Sequence, residues 1–204
     1  MIIKNESHDT VHPRASEGKS QILQKYYDSG HKKIRLRDYF GAIADFTRAI
    51  ELDTKNELSY CIRGDAKRNF QDYTGAIADF SKAIEINPNY ALGYYKRGDA
   101  KRNSQDNSGA IIDYTQSIEI DPNNAQVYSI RGQVKSDLDN YFGAIADYNE
   151  CIKIDPGNTE AYYLMGCAKL TLGQKESGWV DLKIAGKLGY LEAYIVIKKY
   201  CHEQ

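Results

Sequence analysis

The chemically suggestive residues nearest the amino terminus are Gly18-Lys19-Ser20, which match the end of a phosphate-binding loop. That loop requires another glycine five residues earlier, because its backbone amides must surround the phosphates. Pro13 occupies that position, and no apolar strand precedes it. We therefore interpret this segment as a polar approach to the first helix and not as a nucleotide site.

A second candidate motif is formed by His8 and His12, which have the spacing of the two histidine ligands in helical zinc proteases. Those ligands must lie on one face of a continuing helix. Pro13 disfavours helical conformation in the residue before it, and the other two histidines are distant in sequence. The pattern predicts no metal site.

The four cysteines form no C-x-x-C pair and share no ligand spacing, which indicates reduced thiols. They are Cys61, Cys151, Cys167 and Cys201. No Ser-His-Asp set or isolated pair of carboxylates interrupts the pattern described below. The sequence therefore predicts a protein that is not an enzyme and that has no cofactor.

Charge and hydropathy narrow the classes of partner. The chain has 204 residues, a net charge of −1 and a mean hydropathy of −0.61. A net charge near zero disfavours nucleic acid as a partner. The sequence contains no run of about 18 apolar residues, so it predicts no membrane-spanning helix. The first 22 residues lack the apolar segment of a secretion signal, so we expect a cytoplasmic protein. The sequence makes no prediction of oligomeric state.

The residues that could do chemistry are embedded in a repeat of 34 residues that extends over 23–192. Its blocks are 23–56, 57–90, 91–124, 125–158 and 159–192. Tyrosine occupies the fourth place of every block, glycine the eighth, and a small residue the twentieth. In every block the recurring places form two sets whose members are three or four residues apart, which puts each set on one face of a helix. The spacing predicts two helices per block, helix A in the first 14 residues and helix B from about the fifteenth place.

The small residues predict close packing of the two helices within each block. Glycine inside a helix costs about 1 kcal/mol relative to alanine, so its recurrence indicates a place where a larger side chain would collide. We expect Gly64 and Ala76 to bring helices A and B together, with Tyr60 and Phe80 on the flanks. Prolines near the block ends predict where helix B stops.

The arrangement Tyr60-x2-Arg63-Gly64…Ala76-x3-Phe80…Pro88 resembles the tetratricopeptide repeat, and the resemblance covers 23–192. It implies an all-α, right-handed superhelical solenoid of antiparallel helix pairs. Residues 190–201 are apolar along one helical face, so 190–204 are expected to form a capping helix and the carboxyl terminus. We expect 1–22 to be a polar segment, mobile to about residue 18 and leading into the first helix.

Recurring charges predict ion pairs between repeats. Aspartate occupies the twenty-third place of every block, and arginine occupies the seventh place of blocks two to four. Since three of these aspartates are followed by an arginine in the next block, we expect three pairs and an unpartnered Asp147. The predicted pairs are Asp45–Arg63, Asp79–Arg97 and Asp113–Arg131.

The resemblance also implies that the A helices line a concave groove, whose side chains are the candidate binding residues. Tyrosine offers apolar contact with a polar end, while arginine and asparagine bind backbone or carboxylate groups. An alternative remains open: the Asp65/Arg68 and Asp99/Arg102 pairs are solvated helix pairs without a ligand. The candidates are Tyr27, His31, Asp65, Arg68, Asn69, Tyr95, Lys96, Asp99, Arg102, Asn103, Gln133 and Tyr163.

The resemblance and the charges together favour a non-catalytic scaffold or adaptor that binds a partner protein or peptide. Helix A is basic in blocks two and three, which favours an acidic segment. RNA along this basic stripe is the alternative partner. A chaperone adaptor is a further alternative, although the carboxylate clamp of such family members is absent. The clamp places hold Tyr27, His31, Ile62, Leu92 and Lys96.

Overall fold

The computed structural model describes residues 13–201, with side chains described for 18–198. This part of the chain is all-α and contains eleven helices. They are α1 Pro13–Arg35, α2 Tyr39–Leu52, α3 Glu57–Asn69, α4 Tyr73–Ile86, α5 Ala91–Asn103, α6 Asn107–Ile120, α7 Ala125–Asp137, α8 Tyr141–Ile154, α9 Thr159–Thr171, α10 Lys175–Lys187 and α11 Leu191–Cys201.

The helices stack as pairs in chain order, which confirms the predicted all-α solenoid. Each helix packs against the next along the chain, and α3 also touches α5 as α7 touches α9. The odd-numbered helices up to α9 are therefore the A helices and lie beside one another, while the even-numbered ones are the B helices. From α3 onward the A helices begin at intervals of 34 residues.

Short turns join A to B within each pair and have a defined geometry. Gln71 and Gln105 have φ of 65° and 68°, in the left-handed region where a helix commonly terminates. The next residue then caps helix B, since Asp72 accepts a hydrogen bond from the Gly75 amide at 2.9 Å. These turns keep the two helices antiparallel and fix the register between them.

The predicted close approach of A and B is confirmed at the glycines. A Cβ atom built on Gly64 would lie 2.8 Å from Phe80 Cε1, which is too close for any real side chain. Phe80 thus fills the space between α3 and α4. Tyr60, expected on the flank of the same pair, packs against Ala83 of α4 and also reaches Ile50 of the preceding repeat.

Helix α1 begins at Pro13, ten residues before the first repeat block. Residues 13–18 are therefore helical and continuous with the first repeat block, since proline is well suited to the first position of a helix. Gly18-Lys19-Ser20 lies inside this helix and cannot form a phosphate-binding loop. The remainder of the expected mobile segment, with His8 and His12, lies outside the described residues.

The last helix, α11, covers the end of the stack. Ala193 is fully buried and packs in one cluster with Leu182 and Ala185 of α10. Leu191 and Ile195 remain exposed on its outer face. Within the described range, no helix is both long enough and apolar enough to cross a membrane.

Candidate partner-binding groove

The buried aspartates pair within their own repeat, so the predicted inter-repeat pairs are wrong. Arg97 binds Asp113 through two hydrogen bonds of 2.6 and 2.9 Å, because the seventh place on helix A faces the twenty-third place on the adjoining helix B. Arg63 and Arg131 bind Asp79 and Asp147 in the same way. The rejected pairs are Asp45–Arg63, Asp79–Arg97 and Asp113–Arg131, and Asp147 is not unpartnered.

A lysine completes each of these ion clusters, which we call the triads. In the third repeat Lys101 Nζ lies 2.8 Å from Asp113, and the Arg97 guanidinium lies over the Tyr94 ring. Arg97 also donates to the Ser81 hydroxyl of the preceding repeat at 3.1 Å. These cations are held inside the stack and are not available to a partner. The triads are Asp79/Arg63/Lys67, Asp113/Arg97/Lys101 and Asp147/Arg131/Lys135.

Four of the predicted groove residues, Asp65, Arg68, Lys96 and Asp99, lie between the neighbouring helices α3 and α5, and we call this side of the A helices the groove face. Lys96 Nζ lies 2.7 Å from Asp65, and Arg68 Nη1 lies 2.9 Å from Asp99, so both pairs join α3 to α5. Arg68 is also 3.4 Å from Asp65 within its own helix. The charges in the centre of this face are therefore mutually compensated and link neighbouring repeats.

Arg102 is held more weakly than its neighbours on the groove face. Its guanidinium lies 3.6 Å from Asp137 and 3.5 Å from the Gln133 side-chain oxygen. About a third of the side chain is exposed, at 34%. Because long contacts are easily exchanged, Arg102 is the cation on this face best placed to meet a new carboxylate.

Two tyrosine hydroxyls hydrogen-bond to polar residues of the A helices. Tyr95 accepts a hydrogen bond from Gln126 of the next repeat at 3.1 Å, and Tyr114 donates to Asp99 at 2.9 Å. Burial, followed by the nearby Asp99 charge, raises the pKa of Tyr95 to about 12. The hydroxyl therefore stays protonated at neutral pH and remains a donor.

The outer candidates do not join this central set. At one end Tyr27 hydrogen-bonds to Ser59, and the His31 ring lies 5.4 Å from Phe46. At the other end the Tyr163 ring packs against Tyr190 in a tilted arrangement, with ring centroids 4.7 Å apart. The two candidate asparagines, Asn69 and Asn103, are exposed at the carboxyl ends of their helices.

The described cysteines are free thiols held in the packing of the stack. Burial raises the pKa of Cys61 and of Cys151 to about 11, and it also raises the pKa of Cys167. Each thiol is therefore protonated at neutral pH and is a poor nucleophile. Among the described residues, no group of histidine, cysteine and carboxylate side chains could hold a metal ion.

A cleft of about 630 Å³, which we call the α7–α9 cleft, opens in the groove face between these two helices. Of its residues only Gln133 was predicted. The available signal was Ser129, a small residue at the fifth place of its block, where the flanking repeats have Tyr95 and Tyr163. The lining residues are Asp121, Asn123, Asn124, Ala125, Gln126, Ser129, Ile130, Gln133, Asp155, Asn158 and Glu160.

Comparisons with known families agree with this architecture. A family model described as "TPR repeat" matches 64–103, and one described as "Tetratricopeptide repeat" matches 91–124 and 125–158. No curated protein sequence matches the chain.

Several solved structures are similar in fold. A crystal structure of MamA is 24% identical, with a TM-score of 0.76, covering 86% of this chain and 96% of that one. YrrB, described as a TPR protein with an unusual peptide-binding site, is 18% identical, with a TM-score of 0.73 and coverage of 91% and 96%. The first TPR of Spaghetti (RPAP3), bound to an HSP90 peptide, is 25% identical, with a TM-score of 0.56 and coverage of 58% and 94%.

Proposed function

The chain is a tetratricopeptide repeat protein, and on this premise we propose that it is a non-catalytic scaffold whose groove face binds an extended segment of a partner protein. We retain the five blocks within 23–192 as its repeats and 190–204 as its cap. We also propose a cytoplasmic location, since the described cysteines are free thiols, as is usual in a reducing compartment.

The observation that carries the proposal is the loosely held guanidinium of Arg102 beside an open cleft. Two repeats contribute to this place, since Gln133 contacts Arg102 and also lines the α7–α9 cleft. A partner carboxylate that bound Arg102 would replace two contacts of 3.5–3.6 Å with shorter charge-assisted hydrogen bonds. This arrangement supports an acidic residue in the bound segment.

The similar structures support peptide binding as a class of function. YrrB is described by its peptide-binding site, and the Spaghetti domain is bound to an HSP90 peptide. At the clamp places used by chaperone adaptors, this chain has Ile62 and Leu92 where amide and cationic side chains are needed. We therefore favour a scaffold that binds a different peptide segment over a chaperone adaptor.

RNA remains the second candidate, and the ion pairs of the groove face weigh against it. Lys96 and Arg68, the core of the basic stripe, each lie within 3 Å of an aspartate. A phosphate backbone would have to displace these carboxylates. Binding of RNA would also fall steeply with salt concentration.

The test compares two pools of random-sequence peptides, one with a fixed central glutamate and one with a fixed central glutamine. We expect the glutamate pool to bind the full chain more tightly, and Arg102→Gln to weaken its binding about tenfold, as for loss of one hydrogen bond to a charged group. Fluorescence anisotropy measures the affinities, and a single-stranded oligoribonucleotide is titrated in parallel.

Arg48→Gln is the matched control, because Arg48 lies on α2, is largely exposed and pairs with Glu51 of its own helix. It should leave binding unchanged. If neither pool binds while the oligoribonucleotide does, with a steep salt dependence, the RNA alternative replaces the scaffold proposal. If the glutamate pool binds equally well to Arg102→Gln, the acidic residue is bound elsewhere.

A further inference from the structure

We propose that the α7–α9 cleft holds the lysine or arginine side chain of the partner's extended segment. This inference rests on the proposed function, which it deepens by adding a basic side chain to the segment that binds the groove face. The cleft exists because Ser129 stands where the adjoining repeats have Tyr95 and Tyr163, so the fourth repeat lacks the ring that would fill this space.

Ser129 is also the polar group that points to a ligand. The residue is only 5% exposed and lines the cleft, yet its hydroxyl has no hydrogen-bond partner among the described residues. A donor group entering the cleft would supply the missing partner.

The charge of the lining selects a cation. The cleft is bordered by Asp121, Asp155 and Glu160, and none of its lining residues is lysine, arginine or histidine. The side-chain contacts of these carboxylates are with backbone amides and amide side chains, including Asn123, Gln133 and Asn158. A bound ammonium or guanidinium group would compensate the negative charge and donate hydrogen bonds to it.

The rest of the lining fits an extended chain that carries such a side chain. Ile130 and Ala125 provide apolar surface for the aliphatic stem of lysine or arginine. Asn124 makes no capping bond at the start of α7, unlike Asn158 at the start of α9, so its amide is available to a peptide backbone. The segment would then present a basic residue here and an acidic one to Arg102.

The experiment uses the full chain and four pools of random-sequence peptides whose central residue is fixed as lysine, arginine, glutamine or glutamate. We expect the lysine and arginine pools to bind about tenfold more tightly than the glutamine pool, as for one hydrogen bond to a charged group. The double variant Asp155→Asn/Glu160→Gln should remove that preference, because it keeps the side-chain acceptors but not the charges.

Two further variants make the result specific. Ser129→Tyr restores the ring of the neighbouring repeats and should remove the preference without any change of charge. Glu51→Gln/Asp53→Asn removes two carboxylates at the end of α2, including one in the same kind of turn as Asp155, and should leave the preference intact. Circular dichroism and thermal melting confirm that each variant is folded.

Equal binding of the lysine and glutamine pools to the wild-type chain would overturn the inference. So would a preference that survives both the charge variant and Ser129→Tyr. In either case the proposed function stands if the glutamate pool still binds in a manner that depends on Arg102. If none of the four pools binds, the inference and the proposed function fall together.

Discussion

At the scale of single residues, each buried aspartate of the central repeats faces two cations rather than one. Asp113 is 1% exposed, and its two oxygens are shared between Arg97 and Lys101. Removing a charge from water is costly and is offset only when several well-oriented donors replace the solvent. The arginine does so with two parallel hydrogen bonds, and the lysine adds a third contact.

Arg97→Ala should therefore lower the free energy of unfolding by about 2–3 kcal/mol, less than a fully orphaned buried charge because Lys101 remains. The loss has two sources, the bidentate bond to Asp113 and the contact with Ser81 in the preceding repeat. Urea denaturation followed by circular dichroism measures it. Arg48→Ala, which breaks an exposed pair on α2, should cause no measurable change, and an equal loss in both variants would refute the role of burial.

At the scale of helices, the distance between A and B is set by contact between a glycine and a ring. A Cβ atom on Gly98 would lie 2.7 Å from Tyr114 Cε1. The Tyr114 ring is fully buried and its hydroxyl donates to Asp99, so it has little freedom to move away. Steric fit thus outweighs the intrinsic preference for alanine in a helix.

Gly98→Ala should destabilise the protein by about 1–2 kcal/mol, since the overpacking penalty exceeds the gain in helix propensity. Gly18→Ala is the opposite case, because Gly18 lies in α1 with nothing within 4 Å of the added methyl group. It should increase stability slightly. Thermal melting of the two variants provides the comparison, and a stabilised Gly98→Ala would show that the A–B distance is not limited by this contact.

The elements that sequence reasoning predicted well are those whose signal recurs. The five-fold register predicts the helix pairs and the glycine contacts, because sterics demand the same small residue at every turn of the stack. The prediction of the ion pairs was wrong because the repeat allows two pairings. Asp79 and Asp113 each lie 18 residues before the next arginine and 16 residues after the previous one, and the sequence does not distinguish between them. Only the observed packing of α5 against α6 places Arg97 beside Asp113.

The candidate site was predicted less completely than the fold. The A-helix places led to Arg68, Lys96 and Arg102, but their pairing depends on side-chain geometry between helices. The α7–α9 cleft was missed because it arises from an absence of bulk at Ser129. A small residue indicates a cleft only when the same place in neighbouring repeats holds a larger side chain.

At the scale of the whole molecule, the stack depends on what covers its last repeat. Helix α11 buries Ala193 against Leu182 and Ala185 of α10. In a solenoid each repeat contacts only its neighbours, so stability is close to a sum of local terms. Loss of the cap should therefore lower the stability of α9 and α10 before that of the other helices.

Ala193→Glu should undock α11 and lower the free energy of unfolding by about 2–3 kcal/mol, because a charged group cannot enter that apolar contact without a partner. Hydrogen exchange should then accelerate in α10 and α11 while α4 to α7 keep their protection. Glu192→Ala, at an exposed neighbouring position, is the control. Uniformly faster exchange along the whole chain would contradict a local role for the cap.

The closure of each triad within one helix pair also bears on how such a chain can change its length. A central block contains its own aspartate, arginine and lysine, and it supplies the hydroxyl that the following arginine needs, as Ser81 does for Arg97 and Thr115 for Arg131. Duplication or deletion of a whole 34-residue block therefore leaves no buried carboxylate without its cations. The genetic unit of growth and the unit of electrostatic neutrality coincide, so the reach of the groove can be altered in steps of one repeat without redesigning the core.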